Sequence, residues 1–169
     1  MKKALLSLGT NMGDKKKNLA RAIRYINVSI GHVIDLSGIY ESEPWGFEAE
    51  ENFLNMVVEV ISDLEPMEML QKCLEIEEKI GRKREDIVKG YTSRMIDVDI
   101  LFYQHVVIAE ALLTIPHPHL HKRRFVLEPL SEIVPDHIHP VLGLTVSELL
   151  AQCDDHNSVQ QLGSMLYDF

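Results

Sequence analysis

Apolar and polar residues along the chain follow two spacings, one typical of strands and one typical of helices. The first helical stretch shows the pattern: Leu19, Ala22, Ile23 and Ile26 recur at intervals of three and four. In chain order the predicted elements are a strand over 2–8, a helix over 15–26, strands over 33–40 and 53–61, a helix over 66–80, and a strand over 94–103. Strand, helix, strand, strand, helix, strand is the order of the ferredoxin-like split βαβ fold.

The remaining part of the chain predicts smaller elements: a short strand over 106–108, a helical turn over 126–133 and a helix over 146–152. These pieces are expected to cover the second face of the sheet, while the last 15 or so residues are polar and are expected to be poorly ordered. The predicted fold class is α+β, with a ferredoxin-like βαββαβ core and helices on both faces of the sheet, a three-layer αβα arrangement. We interpret residues 1–169 as a single domain, with a core at about 2–140 and a C-terminal helix and tail over 141–169.

Composition narrows the class of protein. The chain has 169 residues, of which 46% are hydrophobic and 25% charged, as is typical of one globular domain. No apolar run approaches the roughly 20 residues that span a bilayer. The short apolar run near the start ends at Gly9, which is too soon for a signal peptide. We therefore expect a cytoplasmic protein that does not contact membranes.

The charge pattern points to a small ligand. A net charge of −9 argues against nucleic-acid binding. Basic residues nevertheless cluster over 79–94 and 122–124, which favours a small anionic ligand over a long polyanion. The two cysteines, Cys73 and Cys153, are expected to be reduced and buried.

The most apolar predicted strand carries two carboxylates. Asp97 and Asp99 are two residues apart in SRMIDVDILFY, so their side chains share one face of the strand, while Ile96, Val98 and Ile100 share the other. Adjacent carboxylates repel each other, so the pair needs a compensating partner. Nearby arginines are one such partner, and Mg²⁺, which is usually held by carboxylates together with substrate phosphates, is another. An edge strand with both aspartates facing solvent is the alternative.

Carboxylates for a metal beside arginines for phosphates are typical of phosphoryl transfer. The glycine-containing stretch over 9–14 lacks the lysine and serine of a P-loop, which excludes a P-loop enzyme. Phe53 and Asn55 fall on one face of another predicted strand and suit a flat heterocycle. The alternative is that Phe53 lies in the core and Asn55 at an edge.

Three histidines recur at intervals of two. His117, His119 and His121 suggest either a zinc site or a single histidine that contacts phosphate. Prolines at 116 and 118 make the backbone of this segment irregular, which argues against a shared zinc-binding face.

Several motifs together resemble one family, the 6-hydroxymethyl-7,8-dihydropterin pyrophosphokinases of folate biosynthesis. The motifs are LGTNMGD at 8–14, YESEPWG at 40–46, NFLN at 52–55, IDVDIL at 96–101 and IPHPHLHKRRFVLEPL at 115–130. The resemblance covers most of the chain. It implies a magnesium- and ATP-dependent transfer of pyrophosphate to the hydroxymethyl group of a reduced pterin, with release of AMP.

The resemblance also implies the residues of the site. Two Mg²⁺ ions would be held by Asp97 and Asp99 with ATP oxygens, and the catalytic residues would be these two aspartates, Arg84 and Arg94. The residues implied in ATP binding are Glu77, Arg82, Arg84, Arg94, Ile100, Thr114, His117 and Arg123. The residues implied in pterin binding are Ser42, Glu43, Pro44, Trp45, Gly46, Phe53, Asn55 and Phe125. In the family the pterin lies between two rings, which correspond here to Phe53 and Phe125.

The basic segment over 82–94 is expected to be a mobile lid that closes over ATP and excludes water. Tyr91 and Ser93 stand where the family commonly has tryptophan and proline, and Leu112 stands where some members have an arginine. The expected assembly is a monomer or weak homodimer whose partners are the two small substrates. A non-catalytic ferredoxin-like nucleotide-binding module and a metal-dependent hydrolase that uses the histidines are the alternatives.

Overall fold

Strand β1 (Lys2–Thr10) is an inner strand of the sheet, next to the strand at one edge. It pairs antiparallel with β4 (Phe53–Ser62) on one side and with β5 (Asp97–Tyr103) on the other. These strands come from a computed structural model that describes residues 1–81 and 94–165. The first and third predicted strands are confirmed, each with one or two further residues at its end.

The predicted strand over 33–40 is wrong as a single element, because it is two strands, β2 (His32–Leu36) and β3 (Ile39–Ser42). Both pair with the side of β4 that faces away from β1, and the register slips by one residue between them, which is a β-bulge. Ser37 fills the bulge: its backbone N–H donates to the carbonyl of Val57, and its hydroxyl accepts from the Val57 N–H. A bulge of this kind depends on the partner strand, so periodicity alone does not reveal it.

Two long helices form the crossovers, and the local sequence decides where each begins. Helix α1 (Lys15–Ser29) follows Asp14, whose carboxylate accepts a hydrogen bond from the Lys17 N–H. Helix α2 (Pro66–Ile80) has proline in its first turn and ends at Gly81, which has a φ of 134°. Both predicted helices are confirmed, and α1 continues three residues beyond its predicted end.

Smaller elements follow. Helices α3 (Arg124–Ile133) and α4 (Val146–Ala151) confirm the two helical predictions. The predicted strand over 106–108 is wrong in its bounds, because β6 (Ile108–Ala109) and β7 (Thr114–Ile115) form a two-residue ribbon with each other. So short a ribbon carries no period-two pattern that would mark it in a sequence.

The tail does not match the expectation of poor order. Strand β8 (Val159–Gly163) pairs antiparallel with β3, so the strand order is β5-β1-β4-β3-β8 with β2 also on β4. The expectation was wrong for these residues because β3 offers an edge of backbone groups that a polar strand can pair with. Backbone pairing of this kind needs no apolar residues in the tail.

Helices cover both faces of the sheet, and alternate strand residues supply two separate cores. In β1, Leu6 and Leu8 pack in a core with α1 and α2, while Leu5 packs in a second core with α3 and α4. Strand β5 divides in the same way, with Val98 in the first core and Phe102 in the second. The antiparallel sheet and four described α-helices confirm a mixed fold of helices and strands.

The strand with the two aspartates begins at Asp97, three residues later than predicted. The Arg94 backbone is held by Asn11 instead: its N–H donates to Oδ1 of Asn11 at 2.8 Å, and its carbonyl accepts from the Asn11 N–H at 3.2 Å. A side-chain amide therefore takes the place of a strand partner at this point. Ile96 is nonetheless fully buried, as its apolar character predicts.

The structure also bears on the two cysteines and on the question of membrane-spanning helices. Cys73 and Cys153 are buried and form no disulfide, which confirms the prediction for both. None of the helices within 1–81 and 94–165 is long and apolar enough to cross a membrane.

Candidate active site

A pocket opens where the end of β1 meets the beginnings of β4 and β5. In the ladder, Gly9 of β1 lies directly between Asn55 of β4 and Asp97 of β5, and Ser7 is the neighbour of Asp99. The pocket is lined by Ser7, Gly9, Ser42, Glu43, Trp45, Phe47, Phe53, Asn55, Arg94, Asp97, Asp99, Leu101, His117, Arg123, Phe125 and Val126. The antiparallel register thus brings together residues predicted to bind pterin and residues predicted to bind metal and phosphate.

The two aspartates point into this pocket. Their side chains keep 25% and 39% of their surface exposed, for Asp97 and Asp99 respectively. Arg94 forms an ion pair with Asp97, with 2.9 Å between Nη1 and Oδ1. Val98 and Ile100 are buried in the core on the opposite face. The predicted division of the strand into a polar and an apolar face is confirmed.

His117 faces the second aspartate. Its Nε2 lies 4.0 Å from Oδ2 of Asp99, and its Nδ1 accepts a hydrogen bond from the His119 N–H at 3.1 Å. Burial, and then the charge of Arg123, lower the pKa of His117 to about 4. The imidazole is therefore neutral near pH 7. Because Nδ1 is an acceptor, its one proton lies on Nε2 and points toward Asp99.

Asn55 is oriented by its neighbours. It is 3% exposed, and its amide nitrogen donates to Oγ of Ser42 at 2.8 Å and to the carbonyl of Tyr40 at 3.3 Å. Its Oδ1 is directed toward Gly9, where an added Cβ would lie 3.5 Å from it. The missing side chain at Gly9 therefore leaves this oxygen open to the pocket.

Aromatic rings line the same end of the pocket. Phe53 and Phe125 both line it, as predicted from the family pattern. Phe47 also lines it and meets Phe53 edge to face, with 6.0 Å between ring centroids. Sequence reasoning missed Phe47, although an aromatic residue in a polar loop is a signal that was available. Pro44 and Gly46 were predicted here but are not among the residues that line the pocket.

Arg123 forms the wall between the aromatic and the acidic ends. Arg123 is only 6% exposed. Its guanidinium carbon is 4.7 Å from the ring centroid of Trp45 and 5.8 Å from that of Phe125. A permanent positive charge is therefore held inside the pocket next to two rings.

A second depression adjoins the pocket and shares Asp99 and His117 with it. Its lining is Leu70, Val98, Asp99, Ile100, Ala111, Leu112, Leu113, Thr114, His117 and Pro118. Two predicted ATP contacts, Ile100 and Thr114, lie here. The apolar residues around them, such as Leu70 and Leu113, were missed because nothing in their spacing separates them from core positions.

Glu77, another predicted ATP contact, lies outside both cavities. It is 2% exposed, and its Oε1 accepts a hydrogen bond from the Val98 N–H at 2.8 Å. Glu77 lines neither the pocket nor the adjoining depression. Arg82, Arg84 and the rest of the predicted lid up to residue 93 lie outside the described residues.

The described part of the chain contains no group of three or more histidine, cysteine, aspartate or glutamate side chains that could hold a metal ion by themselves. The three histidines do not converge there: the ring centroids of His117 and His119 are 6.1 Å apart, and His121 packs near His139 instead.

Comparison with known proteins gives a consistent result. The family model described as 7,8-dihydro-6-hydroxymethylpterin-pyrophosphokinase matches residues 5–135. A protein of Aquifex aeolicus named 2-amino-4-hydroxy-6-hydroxymethyldihydropteridine pyrophosphokinase is 40% identical over 143 residues, which is 85% of this chain and 87% of that protein. A Methylorubrum extorquens protein of the same name is 39% identical over 155 residues, covering 91% of this chain and 95% of that one.

Solved structures agree on the fold. The wild-type Plasmodium falciparum HPPK-DHPS protein matches 89% of this chain with a TM-score of 0.72 at 17% identity. This chain spans 44% of that longer protein, so the likeness covers one part of it. The matched family model spans most of the chain and two relatives are about 40% identical over nearly their whole length, so the chain belongs to the 7,8-dihydro-6-hydroxymethylpterin-pyrophosphokinase family.

Proposed function

We propose that this protein transfers pyrophosphate from ATP to the hydroxymethyl group of 6-hydroxymethyl-7,8-dihydropterin, giving AMP and the pterin diphosphate in folate biosynthesis. One observation carries the proposal: Gly9 has Asn55 beside it on one neighbouring strand and Asp97 on the other. Strands flanking a common neighbour are roughly 10 Å apart. A separation of this size would suit a flat heterocycle and a metal-bound phosphate chain lying side by side in one pocket.

The pterin would bind at the aromatic end. Phe53 and Phe125 supply rings for stacking on the bicyclic system. Asn55 would read the polar edge of the pterin through Oδ1, because its nitrogen is already committed to Ser42 and Tyr40. Backbone groups of the loop after Ser42 would complete the recognition.

The donor set at the acidic end fits Mg²⁺. Two carboxylates on one strand face, with no third protein ligand in the described residues, match an ion held by carboxylates and substrate phosphates. Asp97 and Asp99 would hold two ions in this way. When bound, Mg²⁺ supplies neutralisation of phosphate charge at the phosphorus under attack.

The basic residues would position the phosphates. Arg94 pairs with Asp97 and can exchange that partner for a phosphate oxygen. Neutral His117 would donate from Nε2, and Arg123 would add charge between the two substrates. Catalysis would then come mainly from orientation and charge neutralisation, and no residue among those described stands out as a dedicated general base.

The arrangement of the fold belongs to the same proposal. We infer a ferredoxin-like core in which β1, the joined β2 and β3, β4 and β5 are linked by crossovers α1 and α2. Helices on both faces would complete a three-layer αβα domain. In that arrangement β1 lies between β5 and β4, so Gly9 would lie between the two halves of the proposed site.

The test is a coupled assay with Mg²⁺, ATP and 6-hydroxymethyl-7,8-dihydropterin, with AMP as the measured product. We expect AMP only when the pterin is present, in a one-to-one ratio with the pterin diphosphate. AMP or ADP without pterin would indicate hydrolysis. Nucleotide binding without turnover would favour a non-catalytic binding module.

A further inference from the structure

The only tryptophan of the chain lies against the buried arginine of the pocket. The Arg123 guanidinium carbon is 4.7 Å from the centroid of the Trp45 ring, which is well within the range of a cation–π contact. The Trp45 ring also lies near His119, with 6.2 Å between centroids. In the proposed function the loop after Ser42 contributes backbone groups to pterin recognition, so the indole itself has no role there.

The burial of Arg123 gives the contact its importance. A guanidinium is charged at every physiological pH, and a charge that leaves water loses favourable solvation. Contact with the face of an aromatic ring offsets part of the lost solvation free energy and also restricts where the planar guanidinium can lie. Because Arg123 is 6% exposed, the ring at 4.7 Å is part of what decides its position.

The contact joins two segments that are far apart in sequence. Trp45 belongs to the loop after β3, which carries the predicted pterin contacts, whereas Arg123 precedes the first turn of α3. Trp45 lines both the pocket and an outer groove formed with Leu142 and Leu149. The indole is thus a wall of the pocket whose inner face lies on the arginine.

We propose that Trp45 is a positioning residue that holds the Arg123 guanidinium toward the phosphate end of the pocket. It thereby links the pterin loop to the handling of ATP. The inference rests on the proposed function for its kinetic consequence, while the contact itself is independent of that function. Trp45 acts through Arg123 and makes no contact of its own with the reacting phosphates.

A double-mutant cycle tests the kinetic part. We expect Trp45→Leu to lower kcat/KM for ATP by about five- to thirtyfold, the range that a cation–π contact at a partly desolvated site supports. Trp45→Phe keeps a ring and should lose less. In an Arg123→Met background, Trp45→Leu should add less than about a twofold further loss, because its effect passes through the missing arginine. Multiplicative losses in the double variant would overturn the proposal.

Tryptophan fluorescence tests the contact without any turnover. Since Trp45 is the only tryptophan, the emission of the intact protein reports its surroundings alone. We expect Arg123→Met to shift this emission. Lys122→Met is the matched control. Lys122 is exposed, is next to Arg123 in sequence and also lines the outer groove. This variant therefore removes one positive charge and leaves the Trp45–Arg123 contact in place. Unchanged emission in Arg123→Met, or equal shifts in both variants, would overturn the contact.

The two measurements separate this inference from the proposed function. A wild-type protein that makes no AMP would contradict the proposed function, and fluorescence would still decide whether Trp45 senses Arg123. Active wild-type protein whose Trp45→Leu and Trp45→Phe variants keep full kcat/KM for ATP would overturn the positioning role and leave the function standing.

Discussion

Gly9 is the residue on which the two halves of the site meet. It lies in the ladder between Asn55 and Asp97, and its missing side chain leaves room above strand β1. Its φ is not in the left-handed region, so backbone conformation does not demand glycine here. An added Cβ would lie 3.5 Å from Oδ1 of Asn55 and 3.8 Å from the Phe53 ring, which are ordinary contact distances. The need for glycine is therefore a matter of pocket space.

Gly9→Ala tests this reading. We expect KM for the pterin to rise roughly tenfold, because a methyl group in a filled pocket costs about 1–3 kcal/mol. The melting temperature should stay within about 2 °C of wild type, since the added Cβ makes only unstrained contacts with Asn55 and Phe53. Steady-state kinetics and thermal unfolding measure the two effects. Unchanged pterin KM would show that the pterin does not lie over Gly9.

Asp97 and Asp99 are partly exposed, so their replacement should spare the fold. Asp97→Asn and Asp99→Asn should each lower turnover by about a thousandfold, because each removes several kcal/mol of charge stabilisation at the phosphates. Both variants should unfold at nearly the wild-type temperature. Near-normal AMP formation in both, at saturating Mg²⁺, would contradict the assignment of these carboxylates to metal.

At the scale of elements, helix α2 supports the strand that carries the aspartates. Strand β5 is at an edge of the described sheet, with β1 as its strand partner. The Val98 N–H, between the two aspartates, donates instead to the buried carboxylate of Glu77 on α2. A helix side chain thus does for the outer side of β5 what a further strand would do, and it does so at the end that carries the two aspartates.

Glu77→Ala should therefore affect both stability and activity. Leaving the Val98 N–H buried without its acceptor costs about 1–3 kcal/mol of unfolding free energy. Turnover should also fall, since the loosened segment contains both aspartates. Glu77→Gln keeps an acceptor oxygen and is expected to lose less in urea unfolding and in kinetics. Equal losses in the two variants would mean that the negative charge, and not the hydrogen bond, is what matters.

At the scale of the whole molecule, histidines on the second core make stability depend on pH. The His137 ring packs 4.5 Å from the Phe102 centroid and stacks parallel to His105, with 5.6 Å between their centroids. Burial, and then the neighbouring His105, lower the pKa of His137, while Glu59 acts in the opposite direction. Burial likewise lowers the pKa of His139 on the same side. Both rings are therefore neutral in the folded protein near pH 7.

Acid should destabilise the fold through these groups. Below about pH 6.5 the histidines bind protons in the unfolded chain, whereas His137 and His139 bind them less readily in the folded protein. The unfolding free energy therefore falls as pH decreases. Thermal unfolding at about pH 7.5 and about pH 5 measures this loss. We expect His137→Gln to show a smaller loss than wild type, with His139 responsible for part of the remainder. An identical loss in the variant would exclude His137 as a source.

How much of this protein follows from its sequence can be judged from particular residues. Asp14, Pro66 and Gly81 mark helix ends through local hydrogen bonding and backbone geometry, so they were readable without a structure. The shared face of Asp97 and Asp99 was readable for the same reason, because strand alternation is a local property. The bulge at Ser37 and the pairing of β8 were not readable, since each depends on a partner strand far away in sequence.

The chain by itself determined the order of the main elements, the face on which the two aspartates lie and the family motifs, since all of these depend on neighbouring residues. Tertiary structure alone decided that Gly9 lies between Asn55 and Asp97, that Glu77 accepts a hydrogen bond from β5 and that Trp45 contacts Arg123. Each of these contacts links segments separated by at least 20 residues. Packing and register, which act over the whole molecule, are the physical reason that no local pattern shows them.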